Sequence, residues 1–132
     1  MGAEGSKTFE IDDASDWLSG FESDGAPAVQ TALNAVLELD ANDYVQATEA
    51  ACAIAAAEVV AAAKDGDVSR LPEEYHDAIR EHGEEIEEFG KPAQRALNRI
   101  LRNSELKDLW EEQGELESWQ DDLREIIERL KL

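Results

Sequence analysis

The sequence predicts an all-α protein, a compact single-domain bundle of about six to seven short helices behind an extended N-terminal arm. Three observations lead to this prediction. Apolar residues recur at helical spacing along most of the 132-residue chain, no segment alternates as a strand would, and all three prolines fall at or near expected helix starts. The expected connections are short, so residues 1–132 are predicted to form a single domain.

The N-terminal part is predicted to be an arm followed by a first helix. Residues 1–11 contain two glycines and show no periodicity, which predicts the arm. Asp12 or Asp13 should cap the helix, since a carboxylate accepts hydrogen bonds from the free N–H groups at a helix start. The apolar face of this helix consists of Ala14, Trp17, Leu18 and Phe21.

Two more apolar helices should follow. Ser23-Asp24-Gly25 separates the first helix from the second, in which Pro27 occupies the first turn. The second helix is expected to bury Val29, Leu33, Val36 and Leu37. Thr48 is then expected to cap an alanine-rich helix that runs to about Lys64 and ends at Gly66.

The second half repeats this pattern with more charge. A short helix is expected to begin at Leu71-Pro72 and to end at Gly83, and the next begins at Lys91-Pro92. Ser104 should cap a further helix. The last helix carries an amphipathic stripe formed by Leu116, Trp119, Leu123, Ile126, Ile127 and Leu130.

The charge of the chain excludes several classes of partner. There are 32 Asp and Glu residues against 12 Lys and Arg residues, a formal net charge of −20. Such a protein repels phosphates, so neither a nucleic acid nor an anionic membrane is an expected partner. The first ten residues lack the apolar core of a secretory signal, and the longest apolar run, Ala50 to Ala63, is too short to span a bilayer. A cytoplasmic location is therefore expected.

No motif in the sequence indicates catalysis. Glu73 and His76 have the spacing of a metal-binding pair, but the other histidine, His82, has no acid three residues before it, so two surface histidines are expected. The single cysteine, Cys52, lies in the alanine-rich run without a neighbouring cation and is expected to be a small core residue. We predict no catalytic residue, no metal site and no cofactor.

Glu58 is the exceptional acid. Its neighbours three and four positions away along the helix, Ile54, Ala55, Ala61 and Ala62, are all apolar. A buried ionised carboxylate is costly unless it is paired or protonated. Glu58 is thus either a structural group, accepting hydrogen bonds from an Arg, a Trp indole or backbone N–H groups of the arm, or a pocket carboxylate that binds a cation or acts as a base.

The densest group of acids is a candidate binding surface. It comprises five acids within eight residues, namely Glu81, Glu84, Glu85, Glu87 and Glu88. Carboxylates grouped in this way can take positions where a partner expects phosphates. The alternative is a solvated and partly flexible loop without a partner.

The order of residues near the N-terminus, and two later stretches, resemble a known family. The N-terminal motif consists of Gly2, Gly5, Phe9, Asp12, Asp13, Asp16 and Trp17. Together with the runs at 55–61 and 104–110, it resembles domain-of-unknown-function family 4259. Three positions depart from the family pattern: Glu4 replaces a usual Trp, Lys7 a Gly and Ile11 an Asn. The resemblance implies a small single-domain microbial protein and supplies no activity.

Two classes of function remain open at this stage. In the first, the protein is not an enzyme and binds a basic protein, as an inhibitor, an immunity protein or a phosphate mimic does. In the second, the acidity reflects a high-salt environment, as in proteins of salt-loving microbes. Residues 1–60 hold 12 acids and one base, and residues 61–132 hold 20 acids and 11 bases, so charge is spread along the chain. An enzyme or cation site using Glu58 is a third alternative, and the sequence leaves the oligomeric state open.

Overall fold

The computed structural model describes residues 12–40 and 42–131, and these residues fold as helices joined by short turns. Within them the residues form no β-strand, and Val45 and Ser104 make only an isolated parallel bridge. The all-α prediction is confirmed, whereas the predicted arm 1–11 lies outside the described residues. The helices are α1 (Asp12–Asp24), α2 (Ala26–Leu37), α3 (Ala47–Asp65), α4 (His76–Glu81), α5 (Gly83–Ile86), α6 (Gly90–Arg102), α7 (Glu105–Glu112) and α8 (Leu116–Leu130).

Helix α3 is the centre of the bundle. It contacts α1, α2, α6 and α8, and its residues from Ala53 to Ala62 are all buried. A helix that is apolar all round is typical of a core position, and the small alanine side chains let neighbouring backbones approach closely. Glu58 is the only charged residue in this buried stretch. The fold therefore surrounds this carboxylate with other helices.

Most predicted helix ends are confirmed. Pro27 lies in the first turn of α2, and Gly66 ends α3 in the left-handed conformation, with φ +77° and its N–H donating to Ala62 O. The Ser104 hydroxyl accepts a hydrogen bond from Lys107 N at 3.1 Å, as expected of a cap. The prediction that Asp12 or Asp13 caps α1 is wrong, because the helix begins at Asp12 and both residues lie within its first turn.

The prediction that Thr48 caps α3 is wrong. The helix begins at Ala47, one residue earlier, and Thr48 instead donates from Oγ1 to Asp13 Oδ2 at 3.2 Å. The cap comes from a distant part of the chain, because Glu105 Oε1 accepts a hydrogen bond from Ala47 N at 2.8 Å. Side-chain capping of α3 thus depends on the position of α7.

The predicted role of Gly83 also needs correction. Helix α4 ends at Glu81 with His82 as its cap residue, and Gly83 begins α5 rather than ending a helix. A 3₁₀ turn precedes α4 (Glu73–Tyr75) and another follows α5 (Glu87–Phe89). Residues 73–89 are therefore a series of short helical turns. Across residues 12–40 and 42–131, no helix is long and apolar enough to cross a membrane.

Candidate functional site

The structure places Glu58 in an ion-pair network between α3 and α8. Glu58 is 1% exposed, and the Arg70 guanidinium approaches it with Nε 3.4 Å from Oε1. The same guanidinium also contacts Glu125 Oε1 on α8. Arg70 lies in the connection after α3, so the connection, α3 and α8 are joined through a single side chain. This arrangement compensates a carboxylate charge that burial would otherwise make costly.

A second arginine strengthens the same contact between helices. Arg129 on α8 forms a bidentate ion pair with Asp65, in which Nε lies 2.7 Å from Oδ2 and Nη2 lies 3.0 Å from Oδ1. Arg129 also donates a hydrogen bond to the carbonyl oxygen of Asp67. The hydrogen bonds from Arg129 lower the pKa of Asp65 below its usual 3.8. The pKa of Arg129 is raised, first by Asp65 and also by the charge of Glu58. Two cations therefore act on Glu58.

The five acids of the candidate surface lie on helical turns and not in a loop. Glu81, Glu84, Glu85, Glu87 and Glu88 are all exposed, on α4, on α5 and on the 3₁₀ turn after it. We call these five residues the acidic ridge. Between the ridge residues Glu85 and Glu87, Ile86 is completely buried and anchors the segment to the core, where α5 contacts α3. Nearby, His82 Nδ1 lies 3.8 Å from Glu85 Oε1.

An apolar groove adjoins the ridge. A depression of about 280 Å³ is lined by Glu85 and Glu88 of the ridge, and it shares Pro27 with a larger depression of about 510 Å³ between α1 and α2. The rings of Trp17 and Phe21 stack along it with their centroids 5.5 Å apart. We call these two depressions together the α1–α2 groove; their lining residues other than Glu85 and Glu88 are Trp17, Gly20, Phe21, Asp24, Ala26, Pro27, Ala28, Gln30, Thr31 and Phe89.

The two histidines have separate surroundings. His76 Nε2 is 2.8 Å from the carbonyl oxygen of Leu71, and the His82 ring lies against Gly25, where a Cβ would approach it to 3.3 Å. Gly25 has φ +70°, a conformation that favours glycine, so this close contact is built into the α1–α2 turn. In the part of the chain that the structure describes, no three His, Cys, Asp or Glu side chains are grouped to hold a metal ion.

Cys52 is half-buried on α3 near the start of α1. Burial raises the pKa of its thiol, and the charge of Asp13 adds to the effect. The thiol lies 3.9 Å from the carbonyl oxygen of Asp13. A raised pKa disfavours the thiolate, which is the reactive form of cysteine.

The N-terminal motif is only partly within the described residues. Gly2, Gly5 and Phe9 lie outside them, as does the side chain of Asp12. The other three motif residues lie on α1: Asp13 is partly buried, Asp16 is exposed and Trp17 is partly buried against the core. Of this motif, the structure brings Trp17 to the α1–α2 groove.

Comparison with known families identifies the chain. The family model described as "Domain of unknown function (DUF4259)" matches residues 2–122. The chain belongs to this family. The predicted resemblance is thus confirmed, and the DUF4259 match includes the acidic ridge, Glu58 and Arg70. No curated protein and no solved structure matches the chain.

Sequence reasoning missed several residues of these sites. Arg70 and Arg129 could not be identified as partners of α3 acids, because the first pair depends on how the connection after α3 folds back and the second on how α8 packs. In the sequence, Pro27 indicates only a helix start, and Phe89 carries no signal. The available signal is the apolar Ile86 among Glu residues, which indicates that one side of this segment lies against a core.

Proposed function

We propose that this DUF4259 protein is a non-enzymatic cytoplasmic protein that binds a basic protein partner through the acidic ridge and the adjoining α1–α2 groove. One observation carries the proposal. Five exposed carboxylates are held on short helical turns, and two of them, Glu85 and Glu88, line the same depression as Pro27 and the aromatic Phe89. Apolar contacts bordered by charged groups are typical of protein–protein interfaces.

The electrostatics of the ridge support a cationic partner. Across the described residues, no ridge carboxylate forms an ion pair with Lys or Arg, so these charges remain available. Exposed carboxylates of this kind accelerate the encounter with a positively charged surface and disfavour acidic competitors. The groove then supplies apolar contacts, and Trp17 and Phe89 are residue types that commonly anchor interfaces. Inhibition of the partner would follow from covering its basic site.

Nuclear magnetic resonance can test where a basic partner binds. The probe is an amphipathic helical peptide of lysine and leucine, titrated into the ¹⁵N-labelled protein at about 0.15 M salt, where long-range attraction is screened. We expect saturable amide shifts concentrated in residues 17–31 and 81–89. Shifts of equal size over the acidic faces of α7 and α8 would contradict the proposal, because they would reflect net charge alone.

A second candidate function is favoured by one observation. Exposed acids occur on helices all around the bundle, including Asp16 on α1, Glu111 on α7 and Glu117 on α8. We propose as the alternative that this general acidity maintains solubility at high ionic strength, with a function unrelated to the charge. Under this alternative the folded state should depend on molar salt, and the ridge should be no more important than the other acidic faces.

A further inference from the structure

The charge pattern of the protein is reversed in a groove between α2 and α6. This depression of about 390 Å³ has an apolar side formed by α2 and the residues after it, and a basic side formed by α6. No Asp or Glu lines it, although the chain contains 32 acids. We call it the basic groove; its lining residues are Val36, Leu37, Leu39, Arg95, Asn98, Arg99 and Arg102.

One of the three arginines has a structural task. Arg99 is 7% exposed and donates to the carbonyl oxygens of Asp40, Asp43 and Asn103. It therefore ties the turn after α2 to the end of α6. This contact fixes the shape of the groove and uses the hydrogen-bond donors of Arg99.

The other two arginines are exposed and, among the described residues, have no ion-pair or hydrogen-bond partner. This distinguishes them from the remaining arginines, which pair with carboxylates: Arg70, Arg80, Arg124 and Arg129. Arg102 lies in the last turn of α6, where the helix dipole favours a cation, but Arg95 lies in the middle of the helix. The dipole therefore does not account for the pair.

We propose that the basic groove binds a small organic dicarboxylate with an alkyl chain, independently of the protein-binding surface described above. Arg95 and Arg102 are seven residues apart on one helix, about 10 Å along its axis, with Asn98 between them. A guanidinium binds a carboxylate through two parallel hydrogen bonds, so each arginine can hold one end of the ligand. Leu37 and Leu39 would contact the alkyl chain. A small ligand is favoured over an acidic protein, because a net charge of −20 repels a large polyanion more strongly.

Suberate, a dicarboxylate with an alkyl chain, is the probe that tests this proposal. It is titrated into the full ¹⁵N-labelled chain at about 0.15 M salt, where long-range fields are screened. We expect saturable amide shifts confined to residues 36–39 and 95–102. Affinity should fall at least tenfold in the double variant Arg95→Gln/Arg102→Gln, and the diol of the same chain length should not bind.

The matched control is Arg80→Gln/Arg124→Gln, which changes the net charge equally but removes two exposed arginines outside the groove. Its affinity for suberate should stay within a factor of two of the wild type. An absence of saturable shifts, an equal loss of affinity in both double variants, or equal binding of the diol would overturn the proposal. Circular dichroism checks that the variants fold, and Arg95→Gln alone replaces the double variant if helicity is lost.

Discussion

Arg70 Nε lies 3.4 Å from Glu58 Oε1, so the connection that follows α3 returns to the middle of that helix and covers its buried carboxylate. The Arg70 side chain is only 19% exposed, and it also contacts Glu125 on α8. Through Arg70, the buried Glu58 of α3 is thus connected to the segment that follows this helix and to α8. This arrangement favours the structural interpretation of Glu58 over a base or a cation ligand.

Removing the Glu58 carboxylate should destabilise the fold. Glu58→Ala leaves the Arg70 guanidinium without this partner and opens a cavity between α3 and the helices packed around it. We therefore expect the free energy of unfolding to fall by about 3 kcal/mol. This corresponds to a fall of about 10 °C in the melting temperature, followed by circular dichroism. Glu125→Ala, which removes the exposed partner of Arg70, is the control and should cost less than about 1 kcal/mol. A melting temperature unchanged in Glu58→Ala would contradict the structural role.

The Asp65–Arg129 contact should make stability depend on pH. Arg129 lowers the pKa of Asp65 in the folded state, so the ionised carboxylate stabilises the fold above pH 3.8. This contribution to stability is lost as the pH falls from 3.8 through the lower pKa of the folded state. The difference in unfolding free energy between the wild type and Asp65→Asn should therefore be largest at neutral pH and should disappear in acid. Urea unfolding at a series of pH values measures it. Asp121→Asn, which removes the exposed Asp121–Arg124 pair within α8, is the control and should give a smaller difference in unfolding free energy. A difference for Asp65→Asn that does not change with pH would refute the role of the Asp65–Arg129 pair.

The cap at the start of α7 should contribute measurable stability. Ser104 is 1% exposed, and its hydroxyl accepts the hydrogen bond from Lys107 N, so Ser104→Ala removes the cap and should cost about 1 kcal/mol. The urea midpoint should fall while the slope of the transition stays the same. Ser118→Ala, at an exposed position inside α8, is the matched control and should be neutral or slightly stabilising. Equal effects of the two substitutions would show that Ser104 does not act as a cap.

Salt dependence separates the two candidate functions. The core is continuous, and the buried Glu58 is compensated by Arg70, so we expect the chain to have its full helix content at about 0.1 M salt. Circular dichroism from low to molar potassium chloride measures this. Helix content that rises strongly only at molar salt would support the high-salt interpretation and weaken the case for a dedicated binding surface.

Local sequence signals predicted the helices and several of their ends. Pro27, Gly66 and Ser104 act on neighbouring backbone groups, so their effects can be predicted from the chain itself. Glu58 could be recognised as exceptional for the same reason, because its neighbours along the helix are apolar. The all-α class follows from these local patterns.

Contacts between distant parts of the chain could not be predicted in this way. Glu105 caps α3 from 58 residues away, which is why the expected cap at Thr48 was wrong. The basic groove likewise exists only because α2 packs against α6. Such sites depend on packing between distant parts of the chain, which local sequence patterns do not reveal.

Two variants of equal charge allow the proposed function to be measured directly. Each replaces four exposed Glu residues by Gln, so that the net charge changes by the same amount. The ridge variant replaces Glu84, Glu85, Glu87 and Glu88. The matched variant replaces Glu38, Glu111, Glu112 and Glu117, which lie outside the ridge and the α1–α2 groove.

The most direct test is the dissociation constant of the lysine–leucine peptide for the wild type and these two variants at about 0.15 M salt. Exposed ion pairs contribute up to about 1 kcal/mol each, so loss of several at the ridge should weaken binding by roughly tenfold. The matched variant should stay within a factor of two of the wild type. An equal loss of affinity in the ridge variant and the matched variant would contradict the proposal that the ridge is a binding surface.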